Sequence, residues 1–393
     1  MTNSKKILII LGSVIVICLF LELILKINKI FQKKDKSINY NMLATTSNGL
    51  PLTTKKVGIR LLLNPFMVYK NMPKGHRLSP KNSIIPKINS LGFRGEKEVS
   101  KKKHSDSFRI IVIGGSAAFG EGASSDNTTW EYILENKLNN RKNLLKKVEI
   151  LNAGVIGYLS GQELIYLVME LIDLAPDLVI VYNGWNDFYD HIKCQRKNGL
   201  FGFNNTFFEI EKRLLKNFKS ENNVISAFCH FFKYLINNTE LAKNILPRIV
   251  KGPKPEFITR EYIDAFVKNY GNNIEKMSRF SHGYSVEFVV AFQPELYSKN
   301  KKMWTNEEIN IDISIQKGDP EYRNAVKMIY PLLAQKAKEI CRKTGSDFLD
   351  LRKIFDTEKQ WVFADFVHTN DNGNEIIAKT LYDHLISKYK NKL

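Results

Sequence analysis

One serine in this chain follows an apolar run that ends in two glycines. Residues 110–113 read Ile-Ile-Val-Ile, and Gly114, Gly115 and Ser116 follow. A serine at the carboxyl end of a buried strand lies where open α/β sheets place ligands, and the glycines allow a sharp turn there. The spacing fits neither the GxGxxG fingerprint nor a P-loop. Alone, the pattern leaves two interpretations open, a nucleophile or a structural turn.

A histidine near the carboxyl end has an acidic partner at short spacing. Asp365 precedes His368 by three residues, in a segment that ends at Gly373. Within one turn this spacing lets Asp365 accept a hydrogen bond from Nδ1–H of His368. That bond fixes the tautomer in which Nε2 can take a proton from a serine. For such a pair on its own, a surface turn is the alternative interpretation.

Two more polar segments follow predicted strands. One ends at Gly157, in Asn-Ala-Gly-Val-Ile-Gly, and the other contains Asn186 and Asp187, in Asn-Gly-Trp-Asn-Asp. A glycine presents an unobstructed backbone N–H and an asparagine supplies a side-chain NH₂. With the N–H of Ser116, Gly157 and Asn186 are therefore suited to form an oxyanion hole. The alternatives are a strand-to-helix turn at Gly157 and a helix N-cap at Asn186 and Asp187.

Predicted strands and helices alternate along the chain after residue 107. Short β-type runs are separated by amphipathic helical runs, which is typical of a parallel sheet covered by helices. We predict an α/β fold, a three-layer α/β/α sandwich with a parallel five-stranded sheet, and this brings the polar segments to one edge. The predicted strands are Arg109–Ile113, Val148–Asn152, Leu178–Tyr182, Val286–Phe292 and Phe348–Leu351.

The connection between the third and fourth predicted strands is too long for an ordinary loop. Apolar residues recur in it at helical spacing, for example Phe266, Tyr270 and Ile274. We therefore predict a helical cap insertion at about 190–284. It is either a lid that shapes the substrate pocket or rests on a membrane, or a helical subdomain that packs on the sheet. Aromatic stripes are more often core, which favours the second interpretation.

The amino-terminal region predicts a membrane anchor. Residues 7–25 are apolar except for Gly12, Ser13 and Glu22, and they are long enough to cross a hydrocarbon core of about 30 Å as a helix. We assign 1–30 to a single-pass N-terminal transmembrane helix with its flanks. A cleaved signal peptide is the alternative, but the run is long for one and no small-residue cleavage site follows it. Residues 31–107, rich in Lys, Pro and Asn, predict a stalk and lead-in segment.

The amino-acid composition indicates which kinds of binding partner to expect. The formal net charge is +19 and the pI about 9.5, which suits an acidic membrane surface or an anionic polysaccharide. No nucleic-acid-binding motif is present, so no nucleic-acid partner is expected. The four cysteines form no CxxC pair, so neither a metal site nor a disulfide framework is predicted. The lysines that follow the apolar run favour, by charge counting alone, a cytoplasmic body.

Taken together, the four polar segments resemble the SGNH (GDSL-like) hydrolase family, named for the Ser, Gly, Asn and His of four sequence blocks. Ser116 in Gly-Gly-Ser matches the first block and Gly157 the second. Asn186 in Gly-Trp-Asn-Asp matches the third. Asp365 and His368 in Asp-x-x-His match the last. The order of four blocks is more specific than any one motif.

The resemblance implies a flavodoxin-like fold over 108–393, no cofactor, and ester hydrolysis through an acyl-enzyme. Its catalytic residues would be Ser116, Asp365 and His368. The N–H groups of Ser116 and Gly157 and the side chain of Asn186 would form the oxyanion hole. This sequence departs from the pattern twice. It has Gly115 where Asp often precedes the serine, and Thr369 where Pro often follows the histidine.

The segment 89–95, Asn-Ser-Leu-Gly-Phe-Arg-Gly, resembles a lead-in of some membrane-linked bacterial members, several of which are associated with cell-surface polysaccharides. That context favours an extracytoplasmic body, against the charge count. We expect a serine esterase that removes a small acyl group, such as acetyl, from a surface carbohydrate. The alternatives are an O-acyltransferase that uses the same triad and a catalytically silent, anchored glycan-binding protein.

Overall fold

The computed structural model describes residues 61–64, 67–71, 73, 86–142, 145–193 and 259–393. Two short antiparallel strands come first, β1 (Leu61–Asn64) and β2 (Val68–Asn71). The main sheet is formed by β3 (Ser107–Gly114), β4 (Lys147–Asn152), β5 (Leu178–Asn183), β6 (Glu287–Phe292) and β7 (Asp347–Asp350). These five strands are all parallel, in the order β4-β3-β5-β6-β7. The predicted parallel five-stranded sheet is therefore confirmed.

Both faces of this sheet are buried. In β3, Ile111 and Ile113 belong to one hydrophobic cluster, whereas Ile110 and Val112 belong to the other. This follows from the alternation of side chains along a strand. Since neither face meets water, the strand sequence is an unbroken apolar run rather than an alternating one.

Helices supply the covering layers. In chain order they are α1 (Ser116–Phe119), α2 (Trp130–Asn139), α3 (Ser160–Tyr166), α4 (Trp185–Lys193), α5 (Arg260–Gly283), α6 (Asn306–Gly318), α7 (Tyr322–Thr344) and α8 (Asp371–Tyr389). Short helical turns lie at Asp126–Thr128, Leu167–Leu171, Ile172–Leu174, Leu296–Ser298 and Lys301–Met303. Helices α2 and α8 pack on one face, and α3, α4, α5 and α7 on the other.

The described end of the predicted cap insertion is part of the main core. Helix α5 buries Phe266, Tyr270, Ile274 and Met277 in the same cluster as Ile111 and Ile113. Its apolar stripe therefore packs within the helical layer on the sheet. The segment 194–258, which makes up the rest of the predicted cap, lies outside the described residues.

The later part of the predicted lead-in also packs against the sheet. Phe93 is buried in the core, and the backbone N–H of Arg94 donates to the carbonyl of Asn152 at the end of β4 (3.1 Å). Residues 86–99 thus pack against the domain that the sequence predicted to begin at 108. The sequence missed this because the segment has no helical or strand periodicity.

Among the residues that the structure describes, no helix is both long and apolar enough to cross a membrane. The predicted transmembrane segment, 7–25, lies outside the described residues. The single-pass anchor and the membrane side of the domain therefore stay predictions.

Candidate active site

The three predicted catalytic side chains form one hydrogen-bonded relay. Ser116 begins α1 just after β3, and its Oγ lies 2.7 Å from Nε2 of His368, although His368 stands 252 positions later in the chain. Nδ1 of His368 lies 2.7 Å from Oδ2 of Asp365. Because Asp365 accepts from Nδ1–H, Nε2 is left to accept from the Ser116 hydroxyl. The structure thus brings Ser116, His368 and Asp365 together.

Asp365 is buried, and its second oxygen is held by the backbone. Oδ1 accepts from the N–H groups of Val367 (2.9 Å) and His368 (2.8 Å). Burial on its own would raise the pKa of this carboxyl. The charge of His368 and these hydrogen bonds outweigh burial, so the pKa of Asp365 lies below its usual value. His368 is buried as well, whereas Ser116 is half-buried.

The predicted oxyanion donor Asn186 packs directly against the residue before the serine. A Cβ added to Gly115 would lie 2.2 Å from Nδ2 of Asn186, which is closer than real Cβ contacts come. The same Nδ2 donates to the carbonyl of Tyr158 at 2.8 Å. A side chain at position 115 would therefore displace the Asn186 amide from where it lies.

Gly157 lies in the turn between β4 and α3, next to Tyr158. Its φ of 79° falls in the left-handed region that favours glycine. The hydrogen bond from Asn186 to Tyr158 joins this turn to the first turn of α4. The structure therefore links the two segments that supply Gly157 and Asn186.

Asp187 binds the first residue of α3, a role that the sequence did not indicate. It lies inside the first turn of α4, so it is not the N-cap that the alternative interpretation expected. Its carboxylate accepts from the backbone N–H of Ser160 (3.0 Å) and from the Ser160 hydroxyl (2.5 Å). Burial raises the pKa of Asp187 to about 6. No local signal marks it, since Ser160 is distant in sequence.

The loop that bears His368 is tied to the loop that follows Ser116. The N–H of Ser124 donates to the carboxylate of Asp371 (2.8 Å). Thr369, which replaces the proline common in the family pattern, donates to Oδ1 of Asn374 at 2.7 Å. The threonine therefore stabilises the start of α8, and its presence leaves the relay intact.

Asn152 and Glu131 form a buried polar pair next to α1. Nδ2 of Asn152 donates to the carbonyl of Ala118 (3.0 Å) and to Oε1 of Glu131 (2.8 Å). Glu131 is buried, and desolvation raises its pKa to about 8, although Arg94 opposes the shift. The carboxyl is thus kept protonated at neutral pH, where it supports Asn152 without placing a charge in the core.

Glu131→Gln is expected to make stability less dependent on pH. Between the unfolded pKa of 4.5 and the folded pKa of about 8, the unfolded chain loses the proton that the folded chain keeps. The unfolded state then binds fewer protons, so stability falls as pH rises through this window. Glutamine cannot ionise, so the fall in Tm between about pH 5 and pH 8 should shrink by roughly 3 °C or more.

Thermal unfolding of both proteins at the two pH values measures this difference. Ile133→Val on the same helix is the matched control, because it removes buried volume without a titrating group and should lower Tm equally at both pH values. An equal fall of Tm with pH in wild type and Glu131→Gln would contradict the assignment.

Among the residues that the structure describes, no group of three or more His, Cys, Asp or Glu side chains lies close enough together to hold a metal ion. Cys341 is buried, and desolvation raises its thiol pKa to about 12, so it is a poor nucleophile. Among the described residues, the hydrogen-bonded relay of Ser116, His368 and Asp365 is therefore better suited to catalysis than a metal site or the Cys341 thiol.

No protein-family model and no curated protein matches this chain. Solved structures are similar to it at low identity. AlAXEase, an acetyl xylan esterase, is 13% identical over 71% of this chain and 100% of its own, with a TM-score of 0.41. A catalytic mutant of Axe2, an acetylxylan esterase from Geobacillus stearothermophilus, is 12% identical over 73% and 96%, with a TM-score of 0.41. LAE5, an α/β hydrolase from the Lake Arreo metagenome, is 11% identical over 70% and 94%, with a TM-score of 0.42. Because identities and scores are this low, the activities of those enzymes do not transfer to this chain.

Proposed function

We propose that this chain is a serine-dependent ester hydrolase in which Ser116 is the nucleophile, His368 the general base and Asp365 the residue that orients the base. The observation that carries the proposal is the unbroken relay from Oγ of Ser116 to Nε2, and from Nδ1 to Asp365, with both distances 2.7 Å. Nucleophile, base and orienting acid are the parts that acyl transfer to serine needs.

The reaction follows from the relay in two steps. Nε2 of His368 takes the Ser116 proton as Oγ attacks the ester carbonyl carbon, and the imidazolium then gives that proton to the departing alcohol. An acyl-serine remains. A water molecule next gives a proton to His368 and attacks the acyl carbon, which releases the acid and restores the Ser116 hydroxyl. Asp365, held below its usual pKa, stabilises the imidazolium in both steps.

The oxyanion is proposed to bind between the N–H groups of Ser116 and Gly157 and the amide of Asn186. Asn186 lies against Gly115, next to the nucleophile. One N–H of its NH₂ donates to Tyr158, and an amide nitrogen carries a second one. Donors that are fixed before the reaction stabilise developing charge without reorganisation, which is the usual source of most rate enhancement in acyl transfer.

Two observations support the family inference. The strand order, counted from β3, is 2-1-3-4-5, which flavodoxin-like sheets share, and helices pack on both faces. We infer a flavodoxin-like three-layer sandwich of the SGNH type. For the substrate we propose a small acyl ester, acetyl on a surface carbohydrate, on the basis of the resemblance of the four blocks and the lead-in at 89–95.

Turnover tests this proposal. The purified chain is expected to release acetate from an activated acetyl ester and to lose this activity after treatment with a fluorophosphonate. A glycan acceptor separates hydrolysis from transfer: a hydrolase releases acetate from acetylated glycan, whereas an O-acyltransferase adds acetyl to the free glycan. No acetate release and no transfer from the activated ester would contradict acyl-serine chemistry and favour a silent binding protein.

Gly115→Ala is expected to lower kcat by about 10²-fold, the size of losing one oxyanion donor. The new Cβ would occupy the place of Nδ2 of Asn186, so the amide must leave Tyr158. Asn186→Ala should cause a similar loss. The double variant should be no worse than either single one, because both remove the same donor. Steady-state kinetics with the activated ester measures all three.

Gly283→Ala is the matched control for that prediction. A Cβ at Gly283 meets no atom within 4 Å, so kcat should stay at the wild-type value. Full activity in Gly115→Ala, or losses that multiply in the double variant, would show that Asn186 does not act through its contact at Gly115.

We also propose that residues 7–25 anchor the chain in a membrane and that the domain is extracytoplasmic. The length and apolar character of the run support the anchor, and the family context of the lead-in supports the side. A topology reporter fused after Leu393 decides between the two sides. Activity only of a reporter that works in the cytoplasm would contradict the proposed side.

A further inference from the structure

The helix that carries Ser116 is too short to hold itself in place. Helix α1 has only four residues, and Gly120 ends it in the left-handed conformation with φ 84°. A single turn leaves most of its terminal carbonyls without partners inside the helix. The carbonyls of Ser116 and Ala117 accept from the backbone N–H groups of Glu121 and Gly120. The carbonyls of Ala118 and Phe119 are instead bound by side chains from elsewhere in the chain.

Arg94 binds two carbonyls at the end of α1. Its Nη1 donates to the carbonyls of Phe119 and Gly120, both at 2.7 Å, and its guanidinium lies 4.9 Å from the Phe119 ring centroid. Asn152 binds the preceding carbonyl, that of Ala118. A cation is favoured at the carboxyl end of a helix, where the carbonyl dipoles point.

The guanidinium is itself held in a fixed place. The Arg94 side chain is 3% exposed, and its Nε donates to Oδ1 of Asp126 at 3.0 Å. The backbone of Arg94 is bound to Asn152 at the edge of the sheet. A Cβ on Gly120 would lie 2.9 Å from Nη1, so the fit around this nitrogen is tight. Arg94 therefore joins the sheet, the Asp126 turn and the end of α1.

We propose that Arg94 is a positioning residue for the nucleophile, which makes the segment 86–95 a part of the active site. The inference rests on the proposed function of Ser116. Its physical basis is the distance of 2.7 Å between Oγ and Nε2 of His368. If the end of α1 is released, Ser116 moves relative to the base, and a displacement of about 1 Å can cost about 10²-fold in rate.

The chain offers a matched control in Arg109. Its side chain is also fully buried, binds one carboxylate, Glu149, and donates to the backbone carbonyls of Ser100, Lys101 and Leu174. It lies near the start of β3, whereas Ser116 follows the other end of that strand. Arg109→Ala thus removes a similar set of buried bonds far from the nucleophile.

The experiment measures kcat, KM and Tm of the full chain with an activated acetyl ester. Arg94→Ala should lower kcat by about 10²-fold with KM within about twofold, because ground-state binding is unaffected. Arg94→Lys should recover part of the loss, since one ammonium can still reach a carbonyl but lacks the fork of the guanidinium. Arg109→Ala should lower Tm while kcat stays within about threefold of wild type.

Equal kcat in Arg94→Ala and wild type would overturn the inference, as would equal losses of kcat in Arg94→Ala and Arg109→Ala. If Arg94→Ala does not fold, Arg94→Lys decides, and wild-type kcat in that variant overturns the inference. Failure of the proposed function has a different signature. The wild type would then show neither turnover nor labelling by a fluorophosphonate, and both proposals would fall together.

Discussion

Replacing Ser116 by alanine is expected to lower kcat for an activated acetyl ester by about 10⁶-fold. The variant keeps the backbone N–H at this position, and it leaves Gly157, Asn186 and His368 in place. It loses only the oxygen that forms the acyl-enzyme. The activity that remains, about 10³- to 10⁴-fold over water, should come from the oxyanion donors and substrate binding.

Ser105→Ala is the control for this loss. Ser105 is exposed, near the start of β3, and should keep wild-type kcat. Thermal unfolding should give Ser116→Ala a Tm close to that of wild type, because only a half-buried hydroxyl is removed. Turnover within about tenfold of wild type in Ser116→Ala would mean that another group is the nucleophile.

Asp365→Asn is expected to lower kcat by about 10⁴-fold with little loss of fold stability. In the wild type, Oδ1 accepts from the backbone N–H groups of Val367 and His368. The amide oxygen of asparagine keeps that place, so its NH₂ must face Nδ1 of His368. The imidazole then accepts at Nδ1 and carries its proton on Nε2, where it can no longer take the proton of Ser116.

Steady-state kinetics and thermal unfolding of Asp365→Asn together test whether Asp365 sets the tautomer of His368. Asp383→Asn is a surface control, because Asp383 is exposed and pairs with Lys379 on α8; it should leave kcat unchanged. A loss of less than about tenfold in Asp365→Asn would show that Asp365 does not set the tautomer of His368.

The sequence located the relay because each part has a local signature. Ser116 follows a buried strand and glycines, and Asp365 lies three residues from His368, so one turn brings them together. The sheet could be predicted for a similar reason. Strands buried on both faces have apolar runs that separate cleanly from amphipathic helices.

The residues that hold the catalytic side chains in place could not be predicted from the sequence, because their contacts are with residues distant in the chain. Arg94 binds carbonyls of Phe119 and Gly120, and backbone carbonyls leave no mark on a sequence. Asp187 looked like an N-cap because nothing near it indicates Ser160 as its partner. The Asn186 amide lies against Gly115, and this contact joins residues that are far apart in the chain.

Covalent labelling decides whether Ser116 is the nucleophile. Wild type and Ser116→Ala are treated with a fluorophosphonate, and the modified peptide is identified by mass spectrometry. We expect one adduct in wild type, on the Oγ of Ser116, and none in Ser116→Ala. An adduct on a different residue, or equal labelling of both proteins, would contradict it.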